Sequence, residues 1–266
     1  MNYKIAIIGG GNLGTAIAEG LISSGFINPQ QIMITRRNVG NLKSLQDKDV
    51  LVSTDNKQAV DFADVIIVAV KPFQIKEVLE SLNGSFDVTR HILVSVVTGV
   101  SINEISSIVP DQLPVFRAMP NTAIAIQQSM TCICSQDATT EQAQFVSNMF
   151  NQLGKSVIID EKLMDSATVL GACGTAYAMR YIRANIQGGI EIGFDAATAS
   201  TIAAQTVKGA AELLLQRHTH PEQEIDKVTT PKGCTIAGLN EMEHMGFSSS
   251  LIKGITASYK KITSDM

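Results

Sequence analysis

Short apolar runs and helical runs take turns along the first part of the chain. "KIAIIG" reads as a buried strand, and Leu13 to Ser24 as a helix in which Ala16, Ile17, Gly20 and Leu21 recur at helical spacing. "QIMIT" is a second strand, Val50 to Val52 a short third one, and "DNKQAVDFA" a helix. "DVIIVAV" is apolar almost throughout, the pattern of a strand covered on both faces in a parallel sheet, and Pro72 ends it. "HILVSVV", "LPVFRAM" and "MTCICS" continue as strands, Thr139 to Leu153 as a helix and "KSVIID" as the last strand. This alternation predicts a doubly wound, mostly parallel α/β domain.

Near Asp160 the pattern changes. From Met164 onward almost everything reads as helix, including "AYAMRYIRANIQGGIEIG" and "DAATASTIAAQTVKGAAELLLQ", with Asp195 as N-cap of the second. The expected division is therefore residues 1–160, α/β, and residues 161–266, all-helical. Ala176, Ala178, Ala184, Gly188 and Gly189 permit close helix–helix approach, within one chain or against a second copy, and the long helices favour self-association.

Composition narrows the function. A chain of 266 residues, 45% hydrophobic, has room for two cores. A net charge of −4, from 21 basic and 25 acidic residues, provides no field for nucleic acid or an acidic membrane. Tryptophan is absent and aromatics are 5%, thin for base stacking. No apolar stretch is long enough for a bilayer, and Met1-Asn2-Tyr3-Lys4 leads straight into a strand rather than into a signal peptide. Cys132, Cys134, Cys173 and Cys234 form no C-x-x-C pair, and Cys132 and Cys134 share one strand face. They are expected as free thiols in a reducing compartment, hence a cytoplasmic protein. No metal site is expected: His218 and His220 lack further ligands nearby and read as a solvated helix end.

Gly9-x-Gly11-x-x-Gly14 follows a strand and opens a helix, the context a dinucleotide-binding loop requires. The first glycine allows the tight turn, the second close approach of a pyrophosphate, the third close packing of helix on strand. The phosphates would rest on the helix N-terminus. Where a carboxylate would grip the ribose of NAD, the second strand ends in Thr35-Arg36-Arg37-Asn38. Two guanidiniums suit a 2′-phosphate, so NADP(H) is preferred, with NAD(H) as the alternative. "AVKP" ends the fourth main strand with Lys71 and Pro72 facing the ligand crevice, and "RAMPNT" ends another with the Asn121 amide. "VTTPKGCTIAGL", Val228 to Leu239, sets threonines and glycine before an apolar helix, whose unpaired N–H groups suit an anion or merely a cap.

In this order, "GGGNLG", "AVKP", "RAMPNT", "GACGTAY" and "VTTPKGCTIAGL" resemble pyrroline-5-carboxylate reductase over nearly the whole chain. The resemblance implies a Rossmann domain followed by a helical dimerisation and substrate-binding domain. It implies reduction of the cyclic imine pyrroline-5-carboxylate to L-proline by hydride transfer from NAD(P)H, the last step of proline synthesis. It also implies dimers, further assembled into rings, with the active site where the cofactor domain of one chain meets the helical domains of the dimer. By motif position Gly9, Gly11, Asn12, Leu13, Gly14, Arg36, Arg37, Asn56, Ala69, Val70, Lys71, Pro72, Met119, Pro120 and Asn121 would line the dinucleotide. Thr230, Gly233, Cys234 and Thr235 would line the imino acid, its carboxylate on the N–H groups of Gly233, Cys234 and Thr235, and the Thr235 hydroxyl near the imine nitrogen.

The chain departs from the family pattern around the substrate motifs. Where the family commonly shows "SGSGPAY", Gly171, Cys173 and Thr175 replace two serines and the proline. Where it shows "SPGGTT" or "SPGGAT", Lys232 replaces a glycine and Cys234 a small residue; "MPNTP" becomes "MPNTA" at Ala123. Two other readings stay open on sequence alone: reduction of a related imino or carbonyl acid, and a non-catalytic dinucleotide-binding paralogue.

Overall fold

A computed structural model describes residues 3–264. The chain divides into two compact units after Ala172. In the first, β1 (Ile5–Ile8), β2 (Ile32–Thr35), β3 (Leu51–Ser53), β4 (Val65–Val68), β5 (Ile92–Ser95), β6 (Val115–Met119), β7 (Ser129–Gln136) and β8 (Gly154–Ile158) form one eight-stranded sheet. Its order is β3-β2-β1-β4-β5-β6-β7-β8, and every pair is parallel except β6 with β7. The chain starts in the middle of the sheet, runs out to β3, and returns past β1 to β4. That reversal creates the crevice at the carboxyl ends of β1 and β4 where α/β proteins bind ligands.

β1, β2, β4, β5 and β6 are buried along their length, as their unbroken apolar runs predict. Side chains alternate across the sheet. Ile5 and Ile7 therefore join one core with Ile17, Leu21 and Phe150, and Ala6 and Ile8 join another with Val60, Leu79 and Ile105. The helices over these faces are α1 (Asn12–Ser23), α2 (Lys43–Gln46), α3 (Asn56–Phe62), α4 (Ile75–Ser81), α5 (Ile102–Ser106), α6 (Thr140–Asn151) and α7 (Met164–Ala167). Their starts are fixed by side chains: Asp55 accepts from Lys57 N and Gln58 N, and Ser101 with Glu104 and Thr139 with Gln142 form capping boxes.

The passage out of this unit lies beyond Asp160, where the sequence pattern changes. Residues 161–172 are helical in character yet pack with the sheet: Met164 is 1% exposed in the second core, and Ala167 packs against it. Thr168–Cys173 is a π-helix that runs straight into α8 (Gly174–Glu191).

The second unit adds α9 (Ala196–Arg217), α10 (Pro221–Lys227), α11 (Cys234–His244) and α12 (Phe247–Ser264). Asp195 caps α9, accepting from Ala197 N and Thr198 N. His220 caps α10, its Nδ1 accepting from Glu222 N. Among the described residues of this unit only Ala199 and Ala203 are buried, while Ile192 and Met245 are 78% and 76% exposed. Among the described residues no helix is long and apolar enough to cross a membrane.

The cysteines are free, Cys134 buried, Cys132 and Cys173 half-buried, Cys234 exposed. Cys132 and Cys134 share one face of β7, against the second core. Burial and the Glu161 carboxylate push the Cys134 thiol up to about 11, so it stays protonated.

His91, 2% exposed before β5, accepts from Asp87 N through Nδ1 at 3.0 Å, so the ring proton sits on Nε2, which is buried without a partner. Burial and then Arg90 lower its pKa, against opposing pulls from Asp87, Asp64 and Asp61. A lowered imidazole pKa means that below about 6.5 the unfolded chain binds the proton first. Stability is then full above that pH and falls as pH drops toward the folded value. The thermal midpoint should fall between pH 6.5 and 5, and His91→Asn, which keeps an acceptor for Asp87 N, should flatten that slope. An unchanged slope in the variant would assign the loss to other groups.

Candidate functional site

β1 ends in a tight turn. Gly9 adopts φ +112°, and the N–H groups of Gly9 and Gly10 both donate to the Thr35 carbonyl, at 3.2 and 2.7 Å. A Cβ on Gly9 would lie 2.5 Å from the Ala69 carbonyl oxygen, and one on Gly14 would overlap the Gly9 carbonyl oxygen. A Cβ on Gly11 would meet nothing within 4 Å. The turn is thus closed on its protein side and open above Gly11. Gly11 is also the N-cap of α1 and has no side chain to cap with. The first-turn N–H groups, from Asn12, Leu13 and Gly14, carry the positive end of the helix dipole into this open space. Thr15 turns its hydroxyl away, to the Gly11 carbonyl at 2.8 Å.

Around this opening stand the ends of β2 and β4. Arg36 is half-buried, and its Nη1 donates to the Gly10 carbonyl at 2.8 Å; Arg37 is exposed. One guanidinium is therefore fixed against the glycine turn, and no carboxylate ends β2. Thr35, missed in the sequence, organises the corner: its carbonyl closes the glycine turn and its Oγ1 donates to Asn56 Oδ1 at 2.6 Å. A buried hydroxyl ending an apolar strand was the available signal. Ala69 and Val70 are half-buried, and Lys71 and Pro72 exposed, at the mouth beyond β4.

The "RAMPNT" residues behave differently. Met119 and Pro120 are buried, and Met119 Sδ accepts from the Thr98 hydroxyl at 3.7 Å. Asn121 is engaged by the protein: Oδ1 accepts from Ala123 N at 3.0 Å, Nδ2 donates to the Gly171 carbonyl at 3.3 Å, and its backbone N–H donates to Ser129 Oγ at 3.0 Å.

In the second unit, Thr230-Pro231-Lys232-Gly233 is a turn. Gly233 N–H donates to the Thr230 carbonyl at 2.9 Å, with Lys232 at φ +59°. Proline second and a left-handed third residue define a type II turn, which favours glycine third. Lys232 holds that conformation with a Cβ, at a cost of about 1–2 kcal/mol. A Cβ on Gly233 would sit 2.5 Å from Thr230 Oγ1 and 3.0 Å from its carbonyl oxygen. Gly233 is the N-cap of α11 and offers no side-chain cap. One expectation is corrected: the Gly233 N–H is spent in the turn, so the first-turn donors are those of Cys234, Thr235 and Ile236. Thr230 and Cys234 are exposed and Thr235 half-buried.

Comparisons with known proteins match both halves of the chain. A family model described as pyrroline-5-carboxylate reductase dimerisation matches residues 161–264, and one described as NADP oxidoreductase, coenzyme F420-dependent, matches residues 4–99. Pyrroline-5-carboxylate reductase 1 of Dictyostelium discoideum is 47% identical over 98% of this chain and 49% of its own, so the chain spans about half the length of that relative. Pyrroline-5-carboxylate reductase 2 of the same organism is 45% identical over 98% of this chain and 92% of its own. Among solved structures, a pyrroline-5-carboxylate reductase from Coxiella burnetii superposes with a TM-score of 0.94 at 28% identity, covering 99% of this chain and 98% of that one. The pyrroline carboxylate reductase of Plasmodium falciparum, with NADP bound, gives 0.87 at 25% identity over 99% and 98%.

Proposed function

The chain belongs to the pyrroline-5-carboxylate reductase family, and from that premise we propose that it reduces 1-pyrroline-5-carboxylate to L-proline with NADPH. The observation that carries this is the pair of uncapped helix starts, each with a glycine as its N-cap residue. The one after β1 suits a pyrophosphate, the one after Lys232 a small carboxylate. The residues present fit the dinucleotide: space is open above Gly11, and Arg36 and Arg37 suit its 2′-phosphate. Bound there, it would supply the hydride for the imine carbon.

The chain's own residues do the rest. Asn12, Leu13 and Gly14 give backbone donors to the phosphates. Lys71 and Pro72 border the mouth. In the second unit the Cys234 and Thr235 N–H groups hold the carboxylate, Thr230 borders it, and the Thr235 hydroxyl hydrogen-bonds the imine nitrogen. A protonated imine is already electrophilic, so orientation and exclusion of water suffice, without a strong nucleophile. The exposed apolar faces of the helical unit support pairing with a second copy, and free cysteines support a reducing cytoplasm as its place of work.

The test is direct. Purified protein should oxidise NADPH when given pyrroline-5-carboxylate and release proline. Thr235→Ala should lower kcat/KM about 100- to 1000-fold, the range for losing one positioned hydrogen-bonding group, with NADPH affinity unchanged. Tight NADPH binding without any turnover would overturn the proposal in favour of a non-catalytic paralogue.

A further inference from the structure

The "RAMPNT" segment sends two polar side chains toward one short stretch of chain. Arg117, 6% exposed in β6, donates from Nη1 to Glu161 Oε1 at 3.0 Å. The same carboxylate oxygen accepts from Ile102 N at 2.7 Å, at the start of α5. Four positions after Arg117, Asn121 Nδ2 donates to the Gly171 carbonyl. Residues 161–171 are thus tied at both ends to β6 and the segment just after it. Between the two holds lies most of the π-helix Thr168–Cys173, with Thr168 and Val169 buried. A π-helix displaces backbone carbonyls from the usual ladder, and such stretches persist only where surroundings support them. The stretch also opens "GACGTAY", a motif shared with the reductase family in altered form.

Motif position alone would put the Asn121 amide against the dinucleotide. The geometry points elsewhere: we propose that Asn121 is a positioning residue, whose amide bond to the Gly171 carbonyl sets the π-helical stretch at the opening of "GACGTAY", one of the motifs at which the chain departs from the family pattern. Oδ1 closes the local turn through Ala123 N, while Ser129, 3% exposed, anchors the Asn121 backbone. The side chain is therefore oriented by contacts within the protein. Nδ2 is the atom that does the holding, and a substitution that keeps Oδ1 chemistry but removes Nδ2 isolates it.

The functional part of this inference rests on the proposed reduction, so the experiment also has a readout free of turnover. Asn121→Ser keeps an oxygen acceptor for Ala123 N and loses the donor to Gly171. Amide hydrogen exchange across residues 168–175 should accelerate about 2- to 13-fold, the equivalent of one net hydrogen bond. The NADPH dissociation constant, read by cofactor fluorescence, should stay within about twofold, while kcat/KM for the imino acid falls about tenfold, one lost hydrogen bond's worth. Asn121→Asp adds a pH test. Its carboxylate repels the Gly171 carbonyl, whereas its protonated form can donate to it. Activity relative to the parent should rise as pH falls toward the carboxylate range.

Unaltered exchange over the π-helix in Asn121→Ser, or a loss confined to NADPH affinity, would overturn the positioning role. Absence of turnover in the parent protein would instead overturn the proposed reduction, and the exchange result would still decide the role of Asn121.

Discussion

Gly14→Ala should abolish NADPH binding, raising the dissociation constant more than about 100-fold, the equivalent of 2.7 kcal/mol or more. The added methyl would occupy the Gly9 carbonyl oxygen's place and press on Ile7 Cγ2 at 3.1 Å. Neither neighbour can yield. Gly9 is pinned by its N–H to Thr35, and Ile7 is fully buried in the sheet. The helix must lift from the strand, and its N–H groups leave the position where they meet phosphate. Overpacking of this kind also costs about 1–3 kcal/mol of stability. Gly11→Ala separates the two effects. Its Cβ would touch nothing within 4 Å, so the fold should melt unchanged, yet the methyl projects into the space proposed for the pyrophosphate. NADPH fluorescence titration with thermal melting reads both. If Gly11→Ala bound NADPH as tightly as the parent, the dinucleotide would not lie over that turn.

Gly233→Ala should be the mirror of this in the helical unit: kcat/KM for the imino acid down at least about 100-fold, with NADPH affinity within twofold. A methyl at 233 meets Thr230 Oγ1 at 2.5 Å and the Thr230 carbonyl oxygen at 3.0 Å. To admit it Thr230 Oγ1 must turn aside and the carbonyl must give by a few tenths of an ångström, straining the bond from Gly233 N–H to that carbonyl. The turn already carries a strained Lys232. With the turn displaced, the first-turn donors of α11 would no longer converge on the proposed carboxylate position. Steady-state kinetics with varied imino acid, beside NADPH titration, check the division. Equal losses in both measurements would show that the turn serves the fold generally rather than the substrate.

Strands with unbroken apolar runs were legible because burial on both faces leaves a signature no turn can imitate. β1, β2, β4, β5 and β6 fall where "IAII", "IMIT", "VIIV", "ILVS" and "VFRAM" stand. The reversal of β7 was not legible, since an antiparallel neighbour inside a parallel sheet leaves the same apolar pattern. Short helices such as α4 and α5 hold too few turns for periodicity to declare itself. Composition marked the change near Asp160, but packing carries the first unit on to Ala172 because Met164 completes the second core.

Within the site, glycine spacing named the turn, and two arginines named the charge they could meet. What spacing cannot show is which donors a folded chain has already used. Arg36 gives one N–H to Gly10, Gly233 gives its only one to Thr230, and Asn121 commits both ends of its amide. Those allocations follow from three-dimensional neighbours such as Gly171, far along the chain from Asn121.

The helical unit, whose only buried described residues are Ala199 and Ala203, has a thermodynamic corollary. A core that small cannot repay the conformational entropy of five helices. If a second copy supplies the missing cover, folding and pairing are a single mass-action equilibrium, and the melting temperature climbs with protein concentration. Dilution would then act on this protein as a denaturant, loosening the Thr230–Gly233 turn before it reached the glycine loop.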